Sequence, residues 1–250
     1  MLVESWRSAA YTRLCARMWG GAWLWGQPTI FYTAMVGAKL CRVQGIQKRT
    51  KKLRLLLKNW PEIASQAYEK ACKSGRPLRI FFQDEARFGR INDPRRCWAR
   101  AGVRPVVGKQ IVREYTYAYG AFCPQDGASS HFILPAMDGY CMTYFLRHVR
   151  KEFPDDFILM VMDGAPCHKD GAMDVPENMM IQRLPPYSPE LNPSENIWDD
   201  MREKFFQNTV YDSMAAVEDR LCEAMNHYAD NQKTVLSITS FPWINSLDEL

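Results

Sequence analysis

The sequence predicts an α/β domain, a mixed sheet with helices packed on it. Three observations carry that expectation. Two short runs, "LRIFFQD" (78–84) and "DFILMVMDGAP" (156–166), have the composition of buried strands, and in each the apolar residues lead into an aspartate. Between them lie stretches rich in aromatic and β-forming residues, punctuated by turn residues. After them the apolar spacing becomes helical, with Ile197, Trp198, Met201, Phe205 and Phe206 recurring at the spacing of one helix face. Strands, helix, strands and then helices is the order of an α/β domain.

Each element has its own reason. "KRTKKLRLLLK" (48–58) is basic and partly amphipathic, and "NWPEIASQAYEKACKSG" (59–75) reads as a helix with Pro61 near its start and Gly75 and Pro77 at its end. The run 78–84 is a strand that ends at Asp84. "RRCWARAG" (95–102) is expected to be a second strand, closed by a turn at Gly102. "REYTYAYGAFCP" (113–124) and "SSHFILPAMDG" (129–139) read as neighbouring strands joined through "PQDG". Residues 140–152 support a helix, 156–166 the clearest strand, and 178–186 a short one. Helices follow over 194–206 and 212–229.

The approach to the first of these late helices is unusual. In "LPPYSPELNPSENIWDD" (184–200), Pro185, Pro186 and Pro189 hold the chain extended or turned, and Pro193 suits a first helical turn. Asn192 or Ser194 is placed to cap, which sets Glu195 at the helix start beside the apolar stripe. A first-turn glutamate ordinarily answers the helix dipole. Tyr187 and Trp198 are expected to pack in the interior.

Composition narrows the class. The chain has 250 residues and a net charge of +4, enough for one large domain or a medium domain with an appendage. Its eight cysteines are scattered without a CxxC pair, which suits reduced thiols and not a secreted disulfide scaffold. The histidines at 131, 148, 168 and 227 are too dispersed to draw a zinc site. The charge is uneven. Residues 1–70 carry twelve Lys or Arg against three Glu, a balance of +9 that leaves −5 for the remainder. A basic front on a mildly acidic body suits a polyanion binder whose body holds a carboxylate cluster. Residues 20–38 are uncharged and near the length of a membrane span, behind Arg7, Arg13 and Arg17. Gln27, Pro28, Thr29, Thr33 and four glycines interrupt them, so no membrane association is expected.

Three carboxylates stand at positions where α/β sheets bind ligands: Asp84 and Asp163 after apolar strands, and Glu195 at a helix start. An aspartate after a strand often only caps a turn. The alternative is a hard-oxygen site, since Mg2+ keeps several waters and needs few carboxylates. Glu85 is a rival to Asp84, but strand neighbours face opposite ways, so only one of them should enter such a site.

"FFQDEARFG", "VMDGAPCHK" and "LPPYSPELNPSENIWDDMR" resemble, in order, the three signature blocks of the DDE transposases of bacterial insertion sequences related to mariner elements. The resemblance covers about residues 78–206 and implies a ribonuclease H-like (retroviral integrase-like) mixed sheet flanked by helices. It implies a DNA transposase that performs phosphodiester hydrolysis and strand transfer with Mg2+ or Mn2+. Catalytic and metal-binding roles fall to Asp84, Asp163 and Glu195, with Asp84 the bridging ligand and His168 placed to contact DNA or orient a carboxylate. The implied partner is double-stranded DNA with terminal inverted repeats, bound by a homodimer, in the bacterial cytoplasm beside the nucleoid. Lys51, Lys52 and Arg54, then Arg87, Arg90, Arg95, Arg96, Arg100 and Arg104, are candidates for phosphate contacts. Two domains are expected: a basic region, 1–75, partly helical and truncated or altered relative to the family, and a catalytic body, 76–245. A DNA-binding remnant without turnover, and an unrelated metal-dependent nuclease, are the other readings.

Overall fold

The computed structural model describes residues 58–92, 94–168, 171–241 and 244. A helix, α1 (58–74), precedes strands β1 (Leu78–Ile91), β2 (Ile111–Phe122) and β3 (Ser129–Leu134). Helix α2 (Gly139–Glu152) leads to β4 (Phe157–Met162) and β5 (Met179–Arg183). Helices α3 (Ser194–Phe205), α4 (Met214–Asp230) and α5 (Gln232–Thr239) follow. The strands form one mixed sheet in the order β3-β2-β1-β4-β5. The pairs β1/β2 and β2/β3 are antiparallel, and β1/β4 and β4/β5 are parallel.

Side chains alternate along a strand, so each strand feeds two cores. On one face Phe81, Tyr119, Ala121, Ile158, Met160 and Met162 lie under Met142, Phe145, Leu146 and Val149 of α2. Asp138 starts α2 by accepting the Cys141 N–H at 2.8 Å. On the other face Ile80, Phe82, Leu159 and Val161 meet Trp60 and Ala67 of α1. That face continues through Ala86, Phe88, Ala118 and Phe122 to Ile197, Trp198 and Met201 of α3 and Val217, Leu221 and Ala224 of α4. Burying each such large side chain contributes about 1.5–3 kcal/mol, and all six β4 residues are buried, which is why that strand reads as an unbroken apolar run.

Two expectations are corrected. Residues 95–102 form no strand. They lie in the exposed connection between β1 and β2, because their arginines offer no apolar alternation to bury. And β1 does not end at Asp84 but runs on to Ile91. Its pairing with β4 stops at Phe82 opposite Val161, while pairing with β2 continues through Asp84 opposite Gly120 and beyond. Asp84 therefore sits where the central strand outruns its parallel neighbour.

Cys72, Cys97, Cys123, Cys141 and Cys222 are free thiols. Among the described residues no helix is long and apolar enough to cross a membrane. Residues 20–38, and Lys51, Lys52 and Arg54, lie outside the described residues.

Candidate active site

The turn before α3 explains its prolines and polar residues. Pro189–Leu191 make one 3-10 turn, and the chain then touches β1 through two side chains. The Asn192 amide donates to the Gln83 carbonyl at 3.0 Å, and the Ser194 hydroxyl donates to the Phe82 carbonyl at 2.9 Å. Neither residue expected to cap is the N-cap: that position is Pro193, which has no capping side chain, while Asn192 Oδ1 accepts the Ser194 N–H at 3.2 Å and the Ser194 hydroxyl is occupied by the strand. These bonds are buried and fasten the N-terminus of α3 to the backbone beside Asp84. Glu195, the next residue, is half-buried at that junction.

One turn into α3, the Trp198 indole N–H donates to Asp84 Oδ2 at 3.1 Å. Trp198 is buried, as expected, but it also fixes a carboxylate, a role that helical spacing does not reveal. Gly120 makes room for it. A Cβ there would lie 2.7 Å from both the Trp198 ring and the Phe122 ring. Gly120→Ala is therefore expected to lower stability by about 1–3 kcal/mol through overpacking. Chemical denaturation checks this, and an unchanged midpoint would mean that Trp198 is not held as described. Tyr187, expected inside, is 94% exposed, because the proline-rich turn throws it outward with a left-handed backbone, φ 54.

Asp84 is 8% exposed. Burial, and then the charges of Glu195, Glu85 and Asp163, push its pKa well above the ordinary carboxylate range. Burial likewise raises Glu195, with Asp199 and Asp163 adding to the effect against Arg202. Asp163 moves the other way. His168 and the Ala165 N–H hydrogen-bond to it and hold its pKa down against partial burial. The charges of Glu195 and Asp163 thus reach Asp84, and that of Asp163 reaches Glu195, beyond the point where β1 and β4 stop pairing.

His168 joins two carboxylates. Its Nδ1 lies 2.8 Å from Asp163 Oδ1, and its Nε2 lies 2.8 Å from Glu85 Oε1. The ring is fully buried, and the Glu85 side chain is 3% exposed. Arg183 donates through Nε and Nη2 to the His168 carbonyl at 3.0 and 2.6 Å, steadying the turn. Alternation along β1 does separate Asp84, which meets Trp198, from Glu85, which meets His168. The Glu85–His168 pair spans 83 positions, and no local spacing could have found it.

The arginines divide. Arg87 lies over the Tyr115 ring, 5.1 Å from its centroid. Arg90 is tied to Glu114 at 2.8 Å and to the Tyr211 carbonyl at 2.9 Å. Arg95 pairs with Glu203 at 2.6 Å. Arg96, Arg100 and Arg104 are exposed on the β1–β2 connection.

Among the described residues, no three His, Cys, Asp or Glu side chains are grouped as a ready-made metal site. The chemistry of Asp84, Asp163 and Glu195 nevertheless fits a hard divalent cation. They are oxygen donors, and burial, with neighbouring carboxylate charge added, raises Asp84 and Glu195 in a way that positive charge would relieve.

The profile of the DDE superfamily endonucleases matches residues 79–218, more than half of the chain. The chain belongs to that family. An uncharacterized protein of Sinorhizobium fredii (strain NBRC 101917 / NGR234), y4pE/y4sA, is 31% identical over 130 residues, covering 52% of this chain and 96% of that protein. The Mos1 mariner paired-end complex with Mn aligns at a TM-score of 0.51 and 16% identity, over 93% of this chain and 68% of that one. The Mos1 transposase paired-end complex with left transposon end aligns at 0.48 and 16% identity, over 93% and 70% of the two chains. The mixed sheet flanked by helices in this DDE-family chain is the ribonuclease H-like arrangement shared with the mariner transposase fold.

Proposed function

We propose that this DDE-family chain is a DNA transposase whose acidic edge cleaves a phosphodiester and then joins a DNA 3′-hydroxyl to a new strand. The observation that supports this reading is the anchoring of the three carriers: Trp198 holds Asp84 on the central strand, His168 holds Asp163 after its parallel neighbour, and two buried side-chain bonds fasten the helix start that bears Glu195 to the strand that bears Asp84. Asp84, Asp163 and Glu195 would hold Mg2+ or Mn2+, which supplies charge stabilisation at the reacting phosphate. The chain's own part is orientation. Trp198 fixes one oxygen of Asp84, and His168 with the Ala165 N–H fixes one oxygen of Asp163. The Asn192 and Ser194 bonds hold Glu195 at the strand. Duplex DNA with terminal inverted repeats is the proposed substrate, held by the basic region 1–75 ahead of the body 76–245 and worked on by a homodimer. Arg87 and the exposed Arg96, Arg100 and Arg104 of the β1–β2 connection would meet phosphates.

A second reading, a DNA-binding remnant without turnover, has its own observation. The described carboxylates are not drawn into a three-ligand group, and in the geometry as it stands this favours binding over cutting. One experiment separates the two. The full chain is incubated with duplex carrying the flanking inverted repeats, with Mg2+ or Mn2+, and both retention and strand cleavage are followed. Nicking and joined products at the repeat ends support the transposase. Salt-sensitive retention without any nick supports the remnant.

A further inference from the structure

Glu85 is a buried carboxylate next to a proposed metal ligand, yet it faces the other side of β1, and its acceptor oxygen is taken by His168 at 2.8 Å. Through its other nitrogen the same ring reaches Asp163 twice, Oδ1 at 2.8 Å and the backbone carbonyl at 3.2 Å. Asp163 Oδ1 also accepts the Ala165 N–H at 2.9 Å, so that one oxygen carries both inward contacts. The Asp163 side chain is still 54% exposed, whereas the side chains of His168 and Glu85 are 0% and 3% exposed. A carboxylate, an imidazole and a second carboxylate thus run in series from the interior of the sheet to its acidic edge. Both ring nitrogens have a fixed carboxylate partner, so the ring plane is set, and with it the rotation of the Asp163 carboxylate.

We infer that Glu85 is a positioning residue that acts through His168 to hold Asp163 Oδ1 inward and present Oδ2 outward to a divalent cation. Glu85 is accordingly not a ligand itself. Outer partners of this kind commonly change metal affinity about 10–100-fold when removed. The inference rests on the proposed reading of Asp163 as a ligand.

The test is Mn2+ binding to the full-length protein, followed by calorimetry without DNA, together with thermal melting and DNA retention. Glu85→Gln is expected to weaken Mn2+ binding about 10–100-fold, while DNA retention stays at the wild-type level. In a nicking assay it should raise the Mn2+ concentration needed for half-maximal rate more than it lowers the maximal rate. Two further variants give a direction that a merely structural role would not. The amide of His168→Asn stands near the place of Nδ1 and keeps a donor toward Asp163. The amide of His168→Gln stands near the place of Nε2 and serves Glu85 instead. Asn should therefore retain more Mn2+ affinity than Gln, and it keeps the inference testable if Glu85→Gln does not fold. Asp163→Asn run in parallel separates the failures. If it loses Mn2+ binding while Glu85→Gln binds as wild type, or while Gln at 168 equals or surpasses Asn, the positioning role is overturned and the ligand reading stands. If Asp163→Asn itself binds Mn2+ as wild type, both fall.

Discussion

Asp84→Asn is expected to melt at a higher temperature than the wild-type protein when no divalent ion is present, and to cut no DNA when one is. The physical basis is the cost of keeping that carboxyl where it is. Burial is the first cause of its raised pKa, followed by Glu195, Glu85 and Asp163. A carboxyl whose pKa is higher folded than unfolded binds protons more tightly in the fold. Its stability contribution is complete below the ordinary carboxylate range and is lost as pH rises through the raised value. The advantage of asparagine should accordingly be small near pH 4 and grow toward neutrality, at about 2–4 °C per kcal/mol for a domain of this size. An amide oxygen can still accept the Trp198 N–H, so that contact survives the change. Mn2+ should then raise the melting temperature of the wild type and leave the variant where it was, since a ligand stabilises only the form that binds it. Melting curves across pH, with and without Mn2+, check this. A variant that melts lower than wild type at every pH would show that Asp84 is a stabilising structural carboxylate.

The second large effect is expected at Glu195. Glutamine keeps the shape and the helix start, and the Asn192 and Ser194 bonds that fasten α3 to β1 do not involve the side chain at 195. Its amide is a poor ligand for a hard cation beside a carboxylate. Cleavage and joining should both drop by more than about 100-fold, because even an outer partner of a metal ligand is worth about 10–100-fold. Stability should move the other way or not at all. Burial raises the pKa of Glu195, so its ionised form is a cost to the fold at neutral pH. A glutamate that served only the helix dipole would instead take about 0.3–1 kcal/mol of stability with it.

Much of this was legible in the chain before any fold was known, and the reason is locality. The β4 run is apolar at every position because it is covered on both faces. The "NPSEN" segment declares a helix start through residues adjacent in sequence. What stayed hidden depends on partners far away. The continuation of β1 past Asp84 is stabilised by pairing with β2, which lies beyond a long exposed connection. Within that connection residues 95–102 read as a strand, but they are exposed and unpaired with the sheet, held instead by bonds that join Arg95 and Arg96 to residues 203–208. Trp198 reads as core from its spacing, yet its bond to Asp84 crosses 114 positions. Asn192 and Ser194 both read as cap candidates, yet Pro193 takes the N-cap position and both polar side chains are drawn to the β1 backbone, a preference that no nearby residue signals.

The central claim is that Asp84, Asp163 and Glu195 serve one metal-dependent cutting site. It is tested most directly by the rate at which Mn2+ supports nicking of a duplex bearing the inverted repeats, measured for wild type and Glu195→Gln at equal, saturating DNA occupancy. The account predicts nicking at the repeat ends by the wild type and a loss of more than about 100-fold in the variant, with melting temperature and DNA retention unchanged or slightly raised. Nicking by Glu195→Gln at the wild-type rate would contradict it and remove Glu195 from the chemistry.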